Sequence, residues 1–359
     1  MKKILVHIGT GKTGTTTIQR ALLSAHRKKE LKGFSYPDLG EMSHQPIVLL
    51  CQEPFRFSRG YRQKYSGNKE KIRAATDEVK KTLELECSTA KNVVLSAEYF
   101  SVFTKAEVKI FKKLLEVELG SPEVNIIVYV RDPLAYYSSM LQQNCKASAL
   151  LIDPSTFYYN FKGLIKLWEN VFRKKIFVRP FKKELLFNGC VVNDFCRLVS
   201  KVFSIEEPVL KVVSHNQSMS LESLSILVAY RELFYSDKDN IFTEDTNRFL
   251  NILSSGNLID NNTSLILKNE IKTIIYKKHK EDLFWLKDKY DIDYTNQYFG
   301  EPGDDGLIRN AAEEQRIEIH DLFEGFDEQK NRNLLLRVLN EIMTSSALVK
   351  KEQQSPLKS

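Results

Sequence analysis

Residues 7 to 16 read His-Ile-Gly-Thr-Gly-Lys-Thr-Gly-Thr-Thr, and Thr17 follows. Three glycines surround one lysine, and a run of threonines comes next. These residue types suit the binding of an oxyanion. Ile4-Leu5-Val6 just before the stretch predicts a buried strand, and Ile18, Ala21, Leu22 and Ala25 just after it keep helical spacing. A glycine-rich turn from a strand into a helix points successive backbone N–H groups at a ligand, and the helix dipole adds partial positive charge. Gly9, Gly11 and Gly14 permit close approach and positive φ. Threonines are poor in helix interiors, but at a helix start their hydroxyls bond to the cap or to the ligand. Gly11, Lys12, Thr13, Gly14, Thr15 and Thr16 are therefore the predicted phosphate cradle.

The spelling departs from the nucleoside-triphosphate loop G-x-x-x-x-G-K-[ST]. Gly9 and Gly14 keep its glycine spacing, but Thr15 stands where its lysine belongs, and Lys12 lies two residues before Gly14. In the triphosphate loops a Ser or Thr after the lysine holds Mg²⁺, and an Asp at a strand end supports the metal. Asp132 is the sole candidate for that Asp, and the Pro133 that follows makes it read as a helix cap. A displaced lysine without metal ligands suits a leaving group carrying less charge than a triphosphate, such as a phosphosulfate.

"KTGTT", Lys12 to Thr16, resembles the 5′-phosphosulfate loop of the sulfotransferases that use PAPS (3′-phosphoadenosine 5′-phosphosulfate). A second stretch carries the same resemblance. In "NIIVYVRDPLAYYSSMLQQ", Arg131 closes an apolar run and Ser139 follows eight residues later. The resemblance implies that Arg131 and Ser139 bind the 3′-phosphate, with Ser138 as the alternative if the helix register differs. It further implies PAPS as co-substrate without a metal, a P-loop-like sulfotransferase fold, and a hydroxyl acceptor, in the glycan-acting members a saccharide or surface glycoconjugate. Apart from the family, Lys12 and Arg131 both fall just past predicted parallel strands, where open α/β sheets place ligands. Ser139 falls on the second turn of its helix, near enough to share an oxyanion with Arg131. Two separate grips suit a nucleotide with phosphates on both sides of its ribose.

Transfer to a hydroxyl also needs a proton acceptor. In "NVVLSAEYFS", Glu98 sits just past an apolar strand beside Tyr99 and Phe100, where desolvation raises a carboxylate pKa. The glycan-acting members carry a comparable S-x-x-Y-F stretch preceded by a lysine; here Leu95 takes that lysine's place, so the assignment of the base stays open. His44, in a predicted loop, titrates near neutrality and is the rival. His7, in the first strand, is the third choice. Glu98 is preferred because a strand end is the better-defined position.

The elements that must hold these residues are predicted as strands at Ile4–Ile8, Val93–Ser96, Asn125–Val130 and Ile176–Arg179, alternating with helices. That alternation implies an α/β fold with a central parallel sheet flanked by helices, followed by a helical C-terminal region. The expected division is a core over 1–220, a helical extension over 221–300, and a helical tail over 301–359 with a disordered end. "RFSRGYRQKYSGN" reads as loop; residues 52–68 are expected to build the acceptor surface, anionic or aromatic-stacking in preference. Asn216 and Ser218, in a stretch resembling the later part of bacterial sulfotransferase-like proteins, are expected to line the site. "FGEPGDDG" reads as a turn cluster.

A net charge of +7 on 359 residues favours anionic ligands, but there is no basic stripe interleaved with aromatics, so nucleic acid is not expected. The clusters at 173–175 and 277–280 read as solvated faces. Five scattered cysteines without C-x-x-C argue against a disulfide framework and a zinc site, and the chain reads as cytoplasmic. No apolar run is long enough to span a bilayer. Two other functional classes compete: a P-loop kinase or NTPase of unusual spelling, and a non-catalytic nucleotide- or glycan-binding module.

Overall fold

The computed structural model describes residues 1–212, 219–254, 263–297 and 316–353. Four strands, β1 (Lys3–Ile8), β2 (Asn92–Ala97), β3 (Glu123–Val130) and β4 (Phe177–Pro180), form one all-parallel sheet in the order β2-β1-β3-β4. The fold is α/β. All four predicted strands are present, with ends shifted by one or two residues.

The helices are α1 (Thr15–Arg27), α2 (Val48–Cys51), α3 (Arg59–Tyr65), α4 (Lys69–Ser88), α5 (Lys105–Glu118), α6 (Pro133–Cys145), α7 (Phe161–Phe172), α8 (Val191–Phe203), α9 (Leu221–Tyr235), α10 (Glu244–Leu253), α11 (Asn269–Tyr290), α12 (Ile319–Leu322) and α13 (Glu328–Gln353).

Parallel strands need crossover connections and are covered on both faces, so their side chains are apolar on both sides. On one face Leu5, Val94, Ile127 and Tyr129 join Ile18 and Leu22 of α1 and Phe195 and Val199 of α8 in a single buried cluster. On the other, Phe100, Phe103, Phe111 of α5 and Trp168 of α7 pack ring against ring, with centroids 4.9–6.5 Å apart. The start of α5 is held by a reciprocal capping box. Thr104 Oγ1 accepts from the Glu107 N–H, and the Glu107 carboxylate accepts from the Thr104 N–H.

The strand order sets where a ligand belongs. From β1 the chain moves to β2 on one side and then crosses to β3 on the other. The carboxyl ends of β1 and β3 therefore flank a topological switch point, where a crevice opens in sheets of this kind.

The residues group into two compact units, and their boundaries differ from the expected division at 220 and 300. One unit comprises Met1–Asp132, Asn160–His215 and Asp282–Tyr294, and contains the whole sheet. The other comprises Pro133–Tyr159, Asn216–Glu281 and Thr295–Ser359. Its core joins Tyr137 and Leu141 of α6, Leu224 and Leu227 of α9, Ile271 and Ile275 of α11, and Leu334 and Val338 of α13. The expected single core over 1–220 is thus split. Sequence order does not reveal which apolar stripes meet.

Two local expectations also change. Residues 59–65, predicted as loop, form α3, whose first turn is capped by Ser58 Oγ accepting from the Tyr61 N–H. Of the end expected to be disordered, residues 350–353 continue α13 and 354–359 lie outside the described residues. Asn216, Ser218 and the turn cluster at 299–306 lie outside the described residues.

Candidate functional site

The chain leaves β1 at Gly9, whose N–H donates to Ala97 O at the end of β2 (3.0 Å). A Cβ there would lie 2.5 Å from Thr15 Cγ2 and 3.0 Å from Glu98 Cα. Only glycine lets the loop pass so close to β2. The loop is then tied internally. Thr10 Oγ1 donates to Tyr129 O of β3 (2.6 Å), while Thr13 Oγ1 and Thr15 Oγ1 donate to Thr10 O (2.8 and 3.1 Å). All three threonines are buried. The Thr15 hydroxyl, expected to serve the cap or the ligand, instead joins that of Thr13 in holding the loop in shape. Backbone N–H groups, the Lys12 ammonium and the Thr16 hydroxyl are what the loop can offer an anion.

That backbone is shaped for the task. φ is positive at Lys12 (57°) and Gly14 (74°), while Gly11, Thr13 and Thr15 are not among the positive-φ residues. Alternating handedness of this kind turns successive N–H groups into one concavity. Gly14 also serves as the N-cap of α1, so the helix start opens directly onto the loop. Positive φ was expected of the glycines generally; it falls on one glycine and on the lysine. A lysine held there costs about 1 kcal/mol or more, and the surrounding hydrogen bonds maintain it.

Arg131 follows β3 directly. Its Nη1 donates to the carbonyl oxygen of Lys12 (2.9 Å), and its guanidinium lies over the Phe181 ring, 5.6 Å from the centroid. Phe181 is itself placed by its N–H donating to Val130 O (2.7 Å), and its ring abuts Gly14. Phe181 was not anticipated; its one sequence signal is its place immediately after a strand.

Glu98 begins a 3₁₀ turn, Glu98–Val102, at the end of β2. Its side chain reaches solvent, yet the protein crowded around it raises the carboxyl above its ordinary value, with the Lys12 ammonium opposing the shift. The strand-end candidates Glu98, Lys12 and Arg131 thus stand beside β2, β1 and β3, three neighbouring strands. Thr16 is half-buried at the start of α1. Ser139 is half-buried on the second turn of α6, within the other unit.

His44 does not belong to this group. It is buried beside Tyr36, with ring centroids 4.3 Å apart. Its Nδ1 accepts from the Ser96 N–H (2.8 Å), so the proton sits on Nε2, which donates to Pro37 O (2.8 Å). Burial lowers its pKa to about 4. Both nitrogens are occupied, so no lone pair is left for a substrate proton: its position in a connecting segment was legible, its burial against β2 was not. His7 is equally internal. Its Nδ1 pairs with Ser96 Oγ (2.8 Å), which also accepts from Gln19 Nε2 (3.0 Å), and burial lowers its pKa to about 3.

A second buried network supports the β3–β4 end. The Asp194 carboxylate accepts from the Arg179 guanidinium, the Tyr129 hydroxyl (2.8 Å) and the Phe187 N–H (3.1 Å). A buried carboxylate so fully partnered rigidifies the strand end from which Phe181 projects. Its single sequence signal is an acid in the first turn of α8.

No protein-family model matches the chain, and a search of the curated proteins returns no match. No helix among the described residues is long and apolar enough to cross a membrane.

Proposed function

We propose that the chain is a PAPS-dependent sulfotransferase, with a sulfotransferase-type variant of the P-loop fold, acting on a hydroxyl of a saccharide or surface glycoconjugate. The observation that carries the reading is the Arg131–Lys12 hydrogen bond across the switch point. It joins the two stretches that resemble the family's phosphate grips at one mouth of the sheet. The loop suits the 5′-phosphosulfate because its backbone N–H groups converge and its lysine stands beside them. Arg131 is assigned to the 3′-phosphate. A cytoplasmic location goes with the reading, and the five cysteines are free thiols.

In the proposed reaction the acceptor oxygen attacks sulfur in line with the bond to the 5′-phosphate. The new O–S bond forms as the S–O bond to phosphate breaks, and that bond's electron pair remains on the phosphate oxygen. Adenosine 3′,5′-bisphosphate is released. The Lys12 ammonium and the loop N–H groups offset the charge that develops on the departing oxygen. The acceptor proton passes to the Glu98 carboxylate, whose raised pKa suits a base that must later release it.

Calorimetric titration tests the reading. Adenosine 3′,5′-bisphosphate should bind without metal and more tightly than AMP, and Mg²⁺ should not confer tight ATP binding. Equal affinity for AMP and the bisphosphate, or Mg²⁺-dependent ATP binding, would overturn it in favour of a kinase-like or merely nucleotide-binding protein.

A further inference from the structure

The segment expected to face the acceptor lines a half-open cavity of about 230 Å³. Its walls are Pro54, Phe55, Phe57, Tyr61, Tyr65 and Ile72. Phe57, Tyr61 and Tyr65 are buried and meet edge to face, with centroids 5.7–6.5 Å apart. Phe55 stands at the rim, 74% exposed. The hollow it borders is concave and lined mainly by aromatic and apolar side chains, as small-molecule sites are.

The segment is basic. From Gln52 to Arg73 it carries seven Lys or Arg against two Glu, Arg56 among them being ion-paired with Glu107. Lys64 Nζ lies over the Tyr61 and Tyr65 rings, 5.7 and 5.4 Å from their centroids, and Arg62 contributes to the lining. The cavity is also tied to the strand end that bears Glu98. Ser58 Oγ, which caps α3, accepts from Gln45 Nε2 (3.2 Å), and the neighbouring His44 N–H donates to Ser96 O (2.8 Å). The Tyr61 hydroxyl donates to Glu41 (2.6 Å).

We infer that this cavity seats one ring-sized apolar group of an anionic acceptor, an inference that rests on the proposed sulfuryl transfer for the word acceptor but not for the ligand chemistry. Size and charge both point there. An apolar cavity of about 150 Å³ already accommodates benzene, so this one takes a ring with its linking atom. The cationic rim complements a negative charge next to that ring. A bare neutral saccharide would satisfy neither feature.

Three probes separate the contributions: phenyl β-glucuronide, methyl β-glucuronide and phenyl β-glucoside, each titrated calorimetrically into the full chain. The phenyl glucuronide should bind about tenfold more tightly than the methyl glucuronide, and more tightly than the glucoside at low salt only. Ile72→Trp, which fills the cavity, and Phe55→Ala, which opens its rim, should each remove most of the phenyl advantage. Neither residue is buried, so both variants should keep the wild-type circular dichroism. Lys64→Gln should reduce the preference for the glucuronide while leaving the phenyl advantage. Equal affinity for the phenyl and methyl compounds overturns the inference, as does a phenyl advantage that survives both cavity variants. If the bisphosphate fails to bind while the phenyl advantage persists, the sulfotransferase reading falls and the cavity's ligand class stands.

Discussion

The Arg131 guanidinium donates to the Lys12 carbonyl at 2.9 Å, so the residue after β3 holds the residue in the middle of the β1 loop. Lys12 is also the one loop residue other than glycine with positive φ. The arginine therefore has two duties under the proposed function: it stabilises a strained backbone and presents charge to the nucleotide. Arg131→Ala should abolish most of the preference for the bisphosphate over AMP, since a charge-assisted contact contributes about 1.5–3 kcal/mol. It should also lower affinity for AMP, through the loosened loop. Calorimetry with both nucleotides reads the two effects; a variant with an unchanged bisphosphate preference would remove Arg131 from the 3′-phosphate.

Lys12 allows backbone and charge to be separated. Lys12→Ala and Lys12→Gly both delete the ammonium, but only glycine is at ease at φ 57°. The glycine variant should be about 1 kcal/mol more stable than the alanine variant in urea denaturation. Both should lose far more turnover than nucleotide affinity, because leaving-group charge develops only in the transition state. Equal losses in both would make Lys12 a ground-state binding residue.

Glu98→Gln keeps shape and removes the proton acceptor. Turnover should fall by roughly 10²–10⁴-fold with bisphosphate affinity intact. Activity of the wild type should decline as pH drops through the raised Glu98 pKa, since the protonated form cannot accept a proton. Lys12 opposes that rise, so in Lys12→Met the Glu98 carboxyl should titrate at higher pH, as followed by carbon-13 NMR. A lower titration point there would contradict the pairing of the two charges.

The two internal histidines predict how stability varies with pH. Folded values of about 4 for His44 and about 3 for His7 lie below the ordinary 6.5, so below pH 6.5 the unfolded chain binds more protons than the folded one. Their contribution is complete above pH 6.5 and is lost as pH falls toward 4 and then 3. Each should add a slope of up to about 1.4 kcal/mol per pH unit inside that window. Urea titrations at pH 7.5, 6 and 5 measure it, and His44→Asn should flatten the slope without reshaping the pH profile of turnover. If that variant shifts the acid limb of activity, His44 returns as a proton carrier.

Gly9→Ala places a methyl within 3.0 Å of Glu98 Cα and 3.1 Å of Ala97 O, backbone on both counts. It should cost about 1–3 kcal/mol of stability and weaken bisphosphate binding, because the loop and the Glu98 turn must separate. Wild-type stability and affinity together would show that the close approach is not required.

What the chain alone made legible was local. Apolar runs bounded by turn residues marked four strands, and the glycines around Lys12 marked a tight turn from strand into helix, because backbone conformation there depends on the residues themselves. The alternation of strand and helix was enough for an α/β sheet, since parallel neighbours need crossovers. The order β2-β1-β3-β4 was not legible, because pairing partners are chosen by which buried faces fit. That order alone makes the ends of β1 and β3 adjacent and brings Arg131 to Lys12 across 119 positions of sequence. Tertiary structure also reversed the reading of His44, whose residue type suits catalysis but whose lone pair is used by the Ser96 N–H in the interior. It turned the hydroxyls of Thr13 and Thr15 inward, and it drew Pro133–Tyr159 into a different unit from the strand before it. Each of these outcomes depends on burial between segments distant in sequence, and a linear pattern carries no record of which segments will meet.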